Sequence, residues 1–92
     1  MTKIVNKFHH PYDTYIGRGS LWGNQFVIGK DGSREEVIAK YKVWFYQKLK
    51  TDETFRKETL KLKNRTLGCF CKPKPCHGDI ICEFLNSDAA QA

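Results

Sequence analysis

The sequence predicts a small α/β domain, with a short mixed sheet of three or so strands packed with about three helices in a single unit spanning residues 1–92. Three observations lead there. Short β-prone runs stand near the start of the chain and again at Thr66–Cys71. Between them lies a capped segment with helical apolar periodicity. The resulting order β, β, α, α, β, α suits a two- or three-layer α/β unit.

Each element follows from local pattern. Lys3–Lys7 is the expected first strand, and His9-His10-Pro11-Tyr12-Asp13 reads as a turn. Thr14-Tyr15-Ile16 is the second strand, ended by Gly17. The glycine-rich stretch Gly17–Asn24 is a structured loop. Gln25–Ile28 returns as a strand closed by Gly29-Lys30-Asp31-Gly32. Ser33-Arg34-Glu35-Glu36 has the form of a capping box, in which the serine accepts from the first turn and Glu36 reaches back. The helix that follows, Arg34–Leu49, carries Val37, Ile38, Tyr41, Phe45 and Leu49 at three- and four-residue steps, which makes one apolar stripe. Asp52–Lys63 is a second helix, with Phe55 and Leu62 inward. Thr66–Cys71 is a buried strand, and Pro73 and Pro75 stop regular pairing after it. Gly78–Asn86 is the last helix, and the tail 87–92 is expected to fray.

The hydrophobic share of 40% is too high for a disordered chain. Sixteen Lys and Arg against ten Asp and Glu give a formal charge of +6, which favours anionic partners such as nucleotides, nucleic acid or an acidic protein face. No apolar stretch is long enough to span a membrane, and Met1–Asn6 has no signal-peptide core, so the chain is read as cytoplasmic. In that compartment the four cysteines are thiols or metal ligands rather than disulfides.

The chemistry is concentrated in Gly68-Cys69-Phe70-Cys71-Lys72-Pro73-Lys74-Pro75-Cys76-His77-Gly78-Asp79. Strand alternation would project Cys69 and Cys71 to one side. Cys76 and His77 fall at the start of the last helix, where the helix end would favour a Cys76 thiolate. Three readings stay open. Cys69, Cys71, Cys76 and His77 supply a tetrahedral zinc set, although C-x-C-x4-C-H is not the common paired spacing. Alternatively, Cys76, His77 and Asp79 form a reactive pocket, with Cys76 or Cys71 as a thiolate and His77 as acid, base or anion binder. A structural role suits Cys69, Phe70 and Cys82, but suits the polar run Cys76–Asp79 poorly.

The loop Gly17–Asn24 presents backbone N–H groups to an anion, with Gly17, Arg18, Ser20, Trp22 and Asn24 as its ligand-binding candidates. Read alone, it is better explained as a tight turn with Trp22 packed beneath it. Taken together, Tyr15-Ile16-Gly17-Arg18-Gly19-Ser20-Leu21-Trp22-Gly23-Asn24-Gln25-Phe26, Gly32-Ser33-Arg34-Glu35-Glu36, Leu67-Gly68-Cys69-Phe70-Cys71 and Pro75-Cys76-His77-Gly78-Asp79 resemble domain-of-unknown-function family 4326, a family of small phage and bacterial domains. The resemblance runs from about Lys3 to Leu85. It departs at Gly19 and Gln25, where the family has proline, and at Phe70, where tryptophan is frequent. It implies a shared fold and site and, for a phage-encoded member, the host cytoplasm, but no activity.

Two functions follow as expectations. In the first, the Gly17–Asn24 loop and Cys76–Asp79 meet in one cleft that binds a nucleotide or nucleic-acid phosphate. Arg18 is its fixed positive fork and His77 a group that changes charge near neutral pH, with exposed aromatics among Tyr12, Tyr15 and Trp22 adding contacts. The same cleft would suit glycosidic or phosphoester cleavage, though no Asp/Glu pair stands out to perform it. In the second, zinc on the Cys–His set stabilises an interaction protein whose basic helices meet an acidic host enzyme or complex.

Overall fold

The sheet is organised around its last strand. The computed structural model describes residues 2–8, 11–69 and 74–87. In it, β3 (Thr66–Cys69) is flanked by β1 (Lys3–Asn6) on one side and β2 (Thr14–Tyr15) on the other. Both pairings are parallel, with Ile4 beside Leu67 and with Val5 and Tyr15 on either side of Gly68. The α/β class and the number of elements match the expectation, while the sheet is parallel rather than mixed among the described residues. The cause is the connection: α1 (Arg34–Thr51) and α2 (Glu53–Leu60) carry the chain from β2 back to the starting edge of the sheet, so β3 runs alongside β2. Helix α3 (His77–Leu85) follows β3.

Alternation along β3 sends Leu67 and Cys69 to one face and Gly68 to the other. Leu67 and Cys69 belong to one core cluster with Ile16, Tyr41, Phe45, Phe55, Ile81 and Phe84, and Ile4 packs against it. Val5, Tyr12 and Tyr15 lie outside that cluster, so the helices cover one face of the sheet and the domain has two layers. The N-terminal end of α3 comes close to the sheet because residue 78 is glycine. A Cβ there would collide with the side chains of Ile4 and Ile16.

The capping box forms as read. Ser33 Oγ accepts from the Glu36 N–H at 3.3 Å, and Glu36 Oε1 accepts from the Ser33 N–H at 3.0 Å. Val37, Tyr41, Phe45 and Leu49 are the buried stripe of α1. The helix runs two residues past Leu49 and ends at Asp52, which turns extended and uses its carboxylate to cap α2 through the Phe55 N–H. Helix α2 is thus shorter than Asp52–Lys63 at both ends. Thr2 and Asn86 clasp the two ends of the described chain, the Thr2 N–H and C=O each bonding the Asn86 side-chain amide at 3.0 Å.

Three expectations need adjustment. Gln25–Ile28 is not a strand. Two of its backbone donors are taken by nearby side chains, Phe26 N–H by Asn24 Oδ1 and Val27 N–H by Asp31 Oδ2, in place of ladder bonds. Ser87 is tied back to the Phe84 carbonyl through both its backbone N–H and its hydroxyl, while residues 88–92 lie outside the described residues. Cys71 also lies outside them, as do Phe70 and the His9–His10 part of the expected turn, so the same-face placement of Cys69 and Cys71 is not described.

Loss of the Ser33 cap exposes the first-turn donors of α1. Ser33→Ala is expected to lower stability by about 1 kcal/mol in equilibrium urea denaturation, and an unchanged midpoint would show that α1 does not depend on the box.

Candidate ligand cleft

The glycine loop is a pair of successive turns. The Ser20 N–H and hydroxyl both donate to the Gly17 carbonyl, at 3.1 and 2.6 Å, and the Gly23 N–H donates to the Ser20 carbonyl at 3.3 Å. Gly19 sits at φ +89°, a left-handed conformation that a side chain would resist. Beneath the loop Trp22 is buried, and its indole N–H donates to Thr59 Oγ1 at 2.9 Å. The Tyr41 hydroxyl donates to the Trp22 carbonyl at 2.8 Å. Asn24 Nδ2 donates to the Val37 carbonyl at 3.4 Å. The loop is therefore bolted to α1 and α2 at three points.

This places Gly17, Arg18 and Asn24 on one wall of a cleft of about 320 Å³ whose other walls include Cys69, Pro75, Cys76 and His77. The cleft opens where β3 ends and where α1 and α3 begin, the position at which parallel α/β sheets receive ligands. Phe26, Val37 and Ile38 make it largely apolar. Arg34, at the first turn of α1, completes it, and its Nη1 donates to the Pro75 carbonyl at 3.0 Å. Two guanidinium groups and the positive ends of two helix dipoles thus share one apolar-walled space.

His77 joins the two halves of the cleft. Its Nε2 is 2.7 Å from the Ile16 carbonyl, which can only accept, so Nε2 carries the proton and Nδ1 holds the lone pair. Burial holds the His77 pKa below the ordinary imidazole range, against the opposing pull of the Ile16 carbonyl and the Asp79 charge. The ring packs edge-on against Tyr41 with centroids 5.1 Å apart. Burial also pushes the Tyr41 hydroxyl pKa up, with a smaller contribution from Cys76.

The thiols behave otherwise than expected from the helix end. Cys69 and Cys76 are buried, with their sulfurs 3.4 Å apart. The Cys69 thiol, followed by burial, pushes the Cys76 pKa well above the cysteine range, which outweighs the favourable Gly78 N–H. Burial and the neighbouring thiol thus favour the neutral form of Cys76, against the pull of its N-cap position. Asp79 is committed to the fold: its Oδ2 accepts from the Cys76 N–H at 3.0 Å, and it does not line the cleft.

Of the expected ligand-binding residues, Gly17, Arg18 and Asn24 line the cleft and Ser20 and Trp22 do not. Ser20 lines a smaller hollow with Arg18 and Gln25, and Trp22 is the buried anchor. Of the expected metal set, Cys69, Cys76 and His77 lie along one wall. Among the described residues no three His, Cys, Asp or Glu side chains come together as a metal-binding group. Arg34 and the apolar wall were missed. The capping box marked the start of α1 and hence the place of Arg34, but nothing local says which loop the helix start faces.

Among the described residues no helix is long and apolar enough to cross a membrane. No solved structure matches the chain. The chain is 44% identical over 87 residues to the "Uncharacterized 12.4 kDa protein in nrdA-td intergenic region" of Enterobacteria phage T4, a match covering 94% of this chain and 79% of that protein. The profile of the family described as Domain of unknown function (DUF4326) matches residues 2–87, nearly the whole chain, and the protein belongs to that family.

Proposed function

We propose that the cleft binds a nucleotide-sized ligand that combines an anionic group, an apolar or planar body and a hydrogen-bond donor. The observation that carries this reading is the convergence of Arg18, Arg34 and the first turns of α1 and α3 on one cleft of about 320 Å³. Arginine forks and helix N-termini are the donors that phosphate groups take. Phe26, Val37 and Ile38 offer a base the apolar contact it needs. His77, neutral and protonated at Nε2, offers the lone pair of Nδ1 to an N–H or O–H of the ligand. Of the expected catalytic trio, Cys76 and His77 line the cleft while Asp79 caps α3, and His77 is the group to which we assign any proton transfer there.

Titration calorimetry with a panel of nucleoside mono- and diphosphates, and with inorganic phosphate alone, tests the reading. A nucleotide is expected to bind and Arg18→Ala to weaken it roughly tenfold or more, the size of a lost hydrogen bond to a charged group, with the melting temperature nearly unchanged. No saturable binding by any nucleotide, or equal binding by Arg18→Ala, would overturn it.

The buried neutral His77 also sets a pH dependence. Its folded pKa lies below the unfolded value of about 6.5, so the unfolded chain takes up the proton first as pH falls. The His77 contribution is fully present above that value and is lost as pH drops through the folded pKa. The wild type is expected to lose stability between neutral and mildly acidic pH, and His77→Gln to flatten that decline in denaturant titrations. An identical slope in both would exclude His77 as its source.

A second reading has its own observation. The 3.4 Å between the Cys69 and Cys76 sulfurs is far beyond a disulfide bond and near the roughly 3.8 Å that two thiolates keep on a tetrahedral zinc ion. In that reading zinc on Cys69, Cys76 and further ligands among the expected set, Cys71 and His77, stabilises an interaction protein. Elemental analysis after gel filtration decides it: one tightly held zinc per chain, released by His77→Ala with loss of the fold, is the expected signature, and metal-free folded protein removes it.

A further inference from the structure

The sheet face turned away from the helices is a second surface, separate from the cleft. Val5, Gly68 and Tyr15 stand side by side across the three strands and point to this face. Gly68 leaves a gap at its centre, and the Tyr12 ring fills it, with three ring atoms within 3.0 Å of where a Cβ would stand. Tyr12 keeps 40% of its surface exposed, and Phe8, just past the end of β1, keeps 70%. The Lys7 ammonium lies 4.7 Å from the centre of the Tyr15 ring and 5.4 Å from that of Phe8. Lys3 is exposed on the same strand two residues from Val5. The nearby acid, Asp13, is turned into the sheet, where it accepts the Thr66 N–H at 2.8 Å.

Core packing does not account for an aromatic platform of this kind, since none of Tyr12, Tyr15 or Phe8 belongs to the core cluster. We propose that this face binds single-stranded nucleic acid, with unpaired bases stacking on the exposed rings of Phe8 and Tyr12 and the phosphate backbone meeting Lys3 and Lys7. Charge selects this occupant. A face carrying two ammoniums and a committed carboxylate, on a chain of net charge +6, repels a second copy of itself and attracts a polyanion. Aromatic rings on an open sheet accept any base, because every base has a π-face, and flanking cations hold the strand between stacks. Duplex does not suit the surface, because paired bases have no free faces to offer it. The inference does not rest on the nucleotide reading of the cleft.

Fluorescence anisotropy with a labelled oligothymidylate of about 12 nucleotides, inside the usual site sizes of roughly 4–16, tests it. The wild type is expected to bind the single strand in a salt-dependent manner and a duplex of the same length more weakly. Phe8→Ala is the main variant, because an exposed ring can be removed without disturbing the core. It is expected to weaken binding at least fivefold, about the low end of the loss of one base stack. Tyr12→Leu, which still covers Gly68 but has no π-face, is expected to do the same. Lys7→Gln should reduce the salt dependence by about one phosphate contact, whereas Lys57→Gln, the same charge loss on α2, should leave the affinity for the oligonucleotide within twofold. The proposal is overturned by the absence of saturable binding, or by equal affinities of wild type, Phe8→Ala and Tyr12→Leu in protein whose circular dichroism is unchanged. It is also overturned by a dimer in sedimentation equilibrium that Phe8→Ala converts to monomer, since the face would then be covered by another copy.

Discussion

The hydrogen bond from His77 to the Ile16 carbonyl is the constraint around which the cleft is built. It ties the first turn of α3 to the chain just past β2, two segments 61 residues apart in sequence. Because the carbonyl takes the Nε2 proton, the bond also selects the tautomer. Position and chemistry are set by one contact: the cleft wall stays closed at its base, and the imidazole keeps a lone pair at Nδ1. Gly78 makes this possible by letting α3 settle onto Ile4 and Ile16, which brings His77 within reach. A larger residue at 78 would lift the helix start and lengthen the bond it depends on.

The opposite wall is held by different means. The glycine loop buries one large side chain, Trp22, and its shape comes from a chain of hydrogen bonds running from Tyr41 on α1 through Trp22 to Thr59 on α2. The polar atoms of these buried side chains are all satisfied, so the anchor carries little desolvation penalty. The cleft therefore lies between two rigid walls. A ligand entering it need not order the loop first, and this lowers the entropic cost of binding.

The parts of this architecture legible in the sequence were those set by local chemistry. Ser33 and Glu36 announced α1, and the Val37, Tyr41, Phe45 and Leu49 steps announced its buried face. Both depend only on residues within a few turns of one another. The meeting of the glycine loop with the Cys76–His77 turn was also legible, from the position of both at strand ends. What was not legible depended on distant partners. Gln25–Ile28 has the composition of a strand, yet Asn24 and Asp31 supply the bonds that a neighbouring strand would have offered. Cys76 stands at a helix N-terminus, which alone favours a thiolate, but Cys69 arrives from another element and reverses the balance. Trp22 is a site candidate by sequence as an aromatic that could contact a ligand, and Asp79 as a carboxylate near a strand end. Both side chains are engaged by hydrogen bonds within the fold and neither lines the cleft.

The strand order has a kinetic consequence. Among the described residues, 3–6 and 14–15 pair only with 66–69, so there neither early strand has a ladder partner until that stretch is present. A chain emerging from the ribosome would carry two β-prone segments with open edges before α1, α2 and β3 follow them. Such a high contact order slows folding relative to a helical domain of the same length, because two long loops must close before the sheet gains any hydrogen bonds. The arrival of β3 between the waiting strands is then the step that commits the chain, joining both edges and the beginnings of the core at once.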